Sequence, residues 1–196
     1  LRERLAAQEA ALEAQRNAVR NRAKQRAADA ANDDLPRNTV IIVQAEDFSG
    51  QDGGKVAVTG NKRNTMGNAF ARWDAVGHWL EYTVTVPAEG YYHLTLLYCS
   101  EMDDRERSLQ VNGEAVDPDI RLVFPATGGW ANSSDDWRLF VARVPELDRP
   151  LLIKMQEGEN TLRLTNTSGG GVNLDYLAVF SPDVDITREM LTGLQQ

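Results

Sequence analysis

Two polar side chains interrupt the last apolar run of the chain, Gly171-Val172-Asn173-Leu174-Asp175-Tyr176-Leu177-Ala178-Val179-Phe180. Residues two apart in an extended strand lie on one face, so Asn173 and Asp175 are expected to share a face. A buried carboxylate without a partner is costly. The pair therefore completes a hydrogen-bonded network or binds something, and the pattern favours binding: Asp175 to a metal ion, Asn173 to a ligand. The residues able to move protons are His78, His93, Tyr91, Asp74 and Glu81, and two carboxylates could serve a glycoside hydrolase. Against catalysis, His93 falls mid-strand in an alternating pattern. Cys99 has no nucleophile signature around it, and there is no P-loop, zinc motif or dinucleotide fingerprint. Independent catalysis is not expected.

The elements that must position these residues change character near residue 35. Residues 1–34 contain no Gly, Pro or aromatic residue and are rich in Ala, Arg, Gln and Glu, which are good helix formers. Leu1, Leu5, Gln8, Leu12, Gln15, Val19 and Arg22 follow steps of four and three, a heptad seam that decays from apolar to polar. This predicts a helix ending near Asn32-Asp33-Asp34-Leu35-Pro36, either a solvated linker or the tail of a coiled coil that self-associates. From Thr39 the period becomes two. Leu80, Tyr82, Val84 and Val86 alternate with Trp79, Glu81, Thr83 and Thr85; Tyr92, Leu94, Leu96 and Tyr98 line the core face of the next strand. Asn112-Gly113 marks a hairpin. Residues 115–136 read as a long irregular connection, and 181–196 as a polar exit with a short helix after Asp185. Eight or nine short strands predict an all-β antiparallel sandwich with the helix outside it. The expected division is 1–34 helical segment, 35–182 sandwich and 183–196 extension.

The chain of 196 residues carries a net charge of −8. Residues 1–34 hold 7 basic and 6 acidic side chains, and the rest 14 and 23. So acidic a domain suits neither nucleic acid nor anionic membrane surfaces. A single cysteine excludes an internal disulfide,. No apolar run approaches the ~18 residues of a membrane span. Leu1 in place of an initiating Met suggests a piece of a longer protein.

Several short motifs then fall in register: Gln44-Ala45-Glu46-Asp47-Phe48, Gly77-His78-Trp79-Leu80-Glu81-Tyr82, Pro87-Ala88-Glu89-Gly90-Tyr91-Tyr92, Val111-Asn112-Gly113, Thr127-Gly128-Gly129-Trp130, Glu157-Gly158-Glu159-Asn160 and Asn173-Leu174-Asp175-Tyr176. In this order they resemble the carbohydrate-binding modules of families 6 and 35, galactose-binding-like jelly rolls, over residues ~40–180. The resemblance implies a non-catalytic glycan-binding module, attached to catalytic or other domains of a longer extracellular or periplasmic bacterial protein. It implies a structural calcium held by Gln44, Glu46 and Asp175, and a sugar site made by Trp73, Trp130 and Asn173. Where the family's motif has Glu, this chain has Gln44, which removes a charge. His78 stands where Asp is usual before Trp79. The segment Asn132–Asp136 looks inserted, and could lengthen a cleft wall or carry a second calcium through Asp135 and Asp136. Arg72, or Lys62 with Arg63, could face a sugar carboxylate. The other reading open at this point is a β-sandwich spacer or protein-interaction module on a coiled coil.

Overall fold

The computed structural model describes residues 2–194. In chain order its elements are α1 (Arg2–Asn32), β1 (Val40–Gln44), β2 (Gly50–Asp52), β3 (Ala57–Thr59), β4 (Ala69–Ala71), β5 (Trp79–Val86), β6 (Gly90–Cys99), β7 (Arg105–Val111) and β8 (Glu114–Ala115). Then follow β9 (Leu122–Phe124), β10 (Arg138–Val141), β11 (Arg143–Val144), a 3-10 turn (Pro145–Leu147), β12 (Arg149–Pro150), β13 (Ile153–Met155), β14 (Gly158–Asn166), β15 (Asn173–Phe180) and α2 (Arg188–Leu194). One seven-stranded sheet runs β10-β6-β15-β4-β3, with β1 also on β15 and β13 also on β6. The other runs β2-β5-β14-β7-β8, with β9 also on β7. The strand pairs are antiparallel, and the two sheets form the expected sandwich.

The alternating residues of the sequence build the layer between the sheets. Leu80, Tyr82, Val84 and Val86 of β5 are buried together with Tyr92, Leu94, Leu96 and Tyr98 of β6. At the β7–β8 hairpin, Asn112 and Gly113 have φ of 52° and 85°, the left-handed pair that a two-residue turn of this hand needs. The connection expected to be irregular from 115 to 136 contains β9, short enough for its pairing with β7 to escape a periodicity test.

β15 is buried along its whole length. Leu174, Leu177 and Val179 face the inter-sheet core, whereas Tyr176 and Ala178 face a second apolar cluster with Trp137 and Leu191. The step from Leu174 to Leu177 on one face requires an extra residue, and the register with β6 shifts between Leu174 and Tyr176. Asp175 is therefore the bulge residue, and a bulge re-aims the side chain it carries. The segment expected to be a polar exit instead helps cover the outer face of the seven-stranded sheet: Leu191 of α2 is fully buried in that second cluster.

The heptad seam divides in two. Leu1 lies outside the described residues. Leu5 and Leu12 are about half exposed, while Val19, Ala23 and Ala30 are buried and Val19 and Ala23 join the main core. Burying a valine is worth about 1.5–3 kcal/mol. Further along, Arg22 and Arg26 reach Asp117 at 2.7 Å and Arg22 reaches Asp119 at 2.7 Å; Gln15 donates to Asp119. Lys154 of β13 lies 3.5 Å from Asp33. The second half of α1 is thus docked rather than solvated. It packs on β11 and the 3-10 turn and is tied by its arginines to the 116–119 segment.

Candidate functional site

The mouth of β15 opens into a cleft of about 220 Å³ lined by Lys62, Ala71, Arg72, Asp74, Trp130, Asn132 and Asn173. Trp130 is half-buried and held from three sides. Its Nε1–H donates to Glu101 at 2.8 Å, its carbonyl accepts from Asn173 Nδ2 at 3.1 Å, and its ring edge rests on Gly171. A Cβ at Gly171 would lie 3.1 Å from the ring, so the glycine before the last strand is what lets the indole sit there. Asn173 itself is 2% exposed. Its first task in the structure is to hold the Trp130 loop, with only a small part of the side chain on the cleft.

Trp73, expected as the second aromatic wall of a sugar site, does not reach the cleft. It is fully buried, packs edge-on against Phe70 at 5.8 Å and donates Nε1–H to the His78 carbonyl at 3.0 Å. Its other face is taken by the Arg107 guanidinium, 4.3 Å from the ring centroid. Arg107 is equally buried and donates to the carbonyls of Trp73 and Gly170 and to Asn166 Oδ1, at 3.0, 3.1 and 3.0 Å. It thereby ties together the two loops, 72–77 and 166–171, that flank the cleft. Burial, then the charge of Arg105, pulls its pKa down to about 9. Sequence reasoning passed over Arg107, although its parity with Leu109 and Val111 places it on the core face of β7.

Arg72, by contrast, is exposed at the cleft and has a left-handed backbone, φ 64°, which costs energy outside glycine. Lys62 stands across the cleft and donates to Asn132 Oδ1 at 2.6 Å. Arg63 does not line it. The insertion supplies a wall through Asn132, but its carboxylates are committed to protein. Asp136 accepts from Ala131 N–H and Ser134 Oγ. Asp135 accepts from Asn64 Nδ2 at 3.0 Å and from Arg188 at 3.0 Å. Of the two roles considered for the insertion, the cleft wall is the one its Asn132 takes, and Asp135 and Asp136 hydrogen-bond within the protein.

Beyond the bulge, Asp175 meets the end of β1. Gln44 pairs with Tyr176, Ala45 N–H donates to the Asp175 carbonyl at 2.9 Å, and Glu46 follows in the turn. The Asp175 carboxylate accepts Met66 N–H at 3.2 and 3.1 Å. Burial first, then the negative charge of Glu46, pushes its pKa up to about 7. Glu46 Oε2 is buried with no hydrogen-bond partner among the described residues. Two carboxylates close enough for the charge of Glu46 to act on Asp175, one with an unmatched oxygen, offer oxygen donors of the kind calcium takes, and Gln44 lies two residues from Glu46 at the end of β1,. Among the described residues no three His, Cys, Asp or Glu side chains converge on a metal-sized space; this set has two acids and an amide.

The proton-moving residues lie apart. His78 is buried, 3.2 Å from Gln51 Oε1, with its pKa lowered by burial and by Arg107. His93 Nδ1 lies 2.9 Å from the Leu151 carbonyl. Glu81 pairs with Arg163 at 2.9 Å, and Asp74 lines the cleft.

No family model and no curated protein matches the chain. Among solved structures, a family 35 carbohydrate-binding module from Clostridium thermocellum is 26% identical, with a TM-score of 0.58 over 73% of this chain and 98% of that one. A family 6 module from the Cellvibrio mixtus lichenase 5A, solved with cellotriose, is 23% identical, with a TM-score of 0.52 over 71% and 95%. A β-(1,4)-mannanase of Podospora anserina that carries a family 35 module is 15% identical, with a TM-score of 0.56 over 76% of this chain and 29% of that one. With its two antiparallel sheets in this arrangement and an added helix α1, the chain is a structural match to the family 35 and family 6 carbohydrate-binding modules.

Proposed function

We propose that the sandwich, residues 35–182, is a non-catalytic carbohydrate-binding module whose ligand enters the Trp130 cleft. The observation that carries this reading is Trp130 itself, an indole on the cleft wall fixed through Glu101 and Gly171. The C–H face of a pyranose packs on such a ring. Asn173 holds the loop and borders the ligand, while Arg72 and Lys62 stand where a sugar carboxylate would be met. The 220 Å³ of the cleft is below the ~300–1,000 Å³ of pockets for drug-sized ligands, which suits one sugar ring. Calcium held by Gln44, Glu46 and Asp175 would keep both carboxylates ionised and tie the exit of β1 to the bulge of β15. In this reading the module sits in an extracellular or periplasmic bacterial protein and holds an attached domain near polysaccharide, raising its effective concentration.

The test is retention on a panel of polysaccharide affinity gels, uronic-acid polymers included, with calcium and with chelator. Wild type is expected to be retarded on at least one gel and Trp130→Ala to migrate freely there. Equal retardation of the two proteins would remove the cleft from the site. The second reading, a β-sandwich spacer fused to a helix, is favoured by one observation: Trp73 is buried, so the cleft has one aromatic wall instead of two. A wild type that no gel retards would leave the spacer as the better account.

A further inference from the structure

The front half of α1 has no place to rest in its own fold. Residues 2–17 are exposed, and Val19 is the first residue of the helix to be buried. Leu5 and Leu12, 50% and 48% exposed, stand two heptads and one heptad before Val19 and so lie on the same stripe of the helix,. Among the described residues, the bonds from α1 to the sandwich begin only at Gln15, which donates to Asp119 at 3.0 Å. A helix shorter than ~12–15 residues is marginal in water without tertiary support, which is the situation of the stretch before Gln15. Its charges are also unspent. Glu13 is taken by Arg20 at 3.3 Å, whereas Arg2, Arg4 and Glu9 have no ion-pair partner among the described residues.

We propose that this half of α1 is the contact of a homodimer, in which the first turns of two copies pack antiparallel along the stripe of Leu5 and Leu12. The orientation follows from Val19. The stripe that carries the leucines meets the chain's own sandwich at Val19, so a parallel partner laid on Leu5 and Leu12 would run on into space that the sandwich fills. An antiparallel partner runs away from it. The register follows from charge. Arg2 and Glu9 lie seven residues apart on one flank of the stripe, and in an antiparallel pair that flank meets the same flank of the other copy. Arg2 of each copy then faces Glu9 of the other, two ion pairs made from groups with no partner in the monomer. A shift by one heptad would set Glu9 against Glu9 and Arg2 against Arg16, and is repelled. Gln8 falls inside the seam, where a polar residue fixes register at a cost in stability. Two leucines per copy make a small contact, and interfaces below ~1,200 Å² belong to weak and transient complexes, so association is concentration-dependent. The dimer carries its two sandwiches at opposite ends of the helix pair. Resting on the glycan reading above, its two Trp130 clefts bind one polymer bivalently; the association itself does not depend on that reading.

The experiment is sedimentation equilibrium of the 196-residue chain over a concentration series at low salt, without glycan. It compares wild type, the Leu5→Ser/Leu12→Ser double variant, Arg2→Glu, Glu9→Arg, and an equimolar mixture of the last two. All four positions are exposed, so melting temperatures are expected to stay at the wild-type value. Wild type is expected to pass from monomer towards dimer as concentration rises, and the double leucine variant to stay monomeric throughout. Arg2→Glu and Glu9→Arg each set like charges against each other and are expected to dimerise several-fold more weakly. Their mixture restores opposite charges at both ends of a heterodimer and is expected to regain the wild-type constant. A wild type that is monomeric at every concentration overturns the proposal. So does association that survives the double leucine variant, which assigns it to another surface or partner face, and so does a mixture no stronger than its components, which removes the antiparallel register. The polysaccharide gels decide the glycan reading separately.

Discussion

Gly171 and Arg107 carry more of the candidate site than their residue types announce. Gly171 leaves the space in which the Trp130 ring edge lies. Gly171→Ala is expected to shift the indole and weaken glycan retention several-fold with a melting temperature close to wild type, measured by affinity electrophoresis beside thermal denaturation. Arg107 is a buried guanidinium whose acceptors are the carbonyls of Glu106, Trp73 and Gly170 and the amide oxygen of Asn166. Arg107→Ala takes the donor from the Gly170 carbonyl, at about 1–3 kcal/mol for a buried acceptor, and leaves a void against the face of Trp73, while the Trp73 carbonyl and Asn166 Oδ1 keep Asn166 Nδ2 and Gly169 N–H. A large fall in melting temperature is therefore expected, and near-UV circular dichroism should report the loosened environment of Trp73. The burial of Trp73 was not legible because its spacing to the Gly77-Trp79 motif suits a cleft wall and a core position equally. The choice depended on whether a cation from β7 would cover its second face.

At the scale of elements, α1 is the feature least legible in the sequence. Its seam of Leu5, Gln8, Leu12, Gln15 and Val19 shows that one stripe of the helix faces something, but a helix and the side of a β-sandwich present similar demands to that stripe. Asp117 and Asp119, which receive Arg22 and Arg26, lie about 95 residues away in a stretch without periodicity. Asp117→Asn is expected to loosen the docked half of α1 at a cost of about 1.5–3 kcal/mol, the range for hydrogen bonds to charged groups. Faster hydrogen exchange across residues 15–32 is the measurement. Burial alone would raise the Asp117 pKa, but the hydrogen bonds from Arg22 and Arg26 outweigh it and hold the carboxyl below its ordinary value of 3.8. A carboxyl lowered in the folded state stabilises fully above its unfolded value and ceases to as pH falls through the folded one. Docking of α1 should therefore persist down to about pH 4 and loosen below it, in a hydrogen-exchange series against pH.

For the whole molecule, β15 couples the two proposed functions, since Asn173 and Asp175 are two residues apart in one strand. If calcium occupies the set of Gln44, Glu46 and Asp175, chelation leaves two carboxylates within electrostatic reach of each other at the bulge. Melting temperature and glycan affinity should then fall together in chelator, and Glu46→Gln should show the same fall in the presence of calcium. A melting curve indifferent to both would remove Glu46 and Asp175 as calcium ligands.

The sequence by itself determined the sandwich, the end of the helix, the Asn112-Gly113 hairpin and the core faces of β5 and β6. Each depends on periodicity or turn chemistry within about ten residues, and such constraints are local. It also brought forward Trp130 and Asn173, which the fold sets on one cleft, and Asp175 with Glu46, which it sets within electrostatic reach of each other. Tertiary structure alone decided which indole faces outward and where the extra residue of β15 falls. It also decided what the helix rests on and which carboxylates of the inserted loop were already spent. Those outcomes depend on contacts between segments tens of residues apart, where burial and hydrogen-bond partners are assigned by the packing of the two sheets and not by the pattern of either strand.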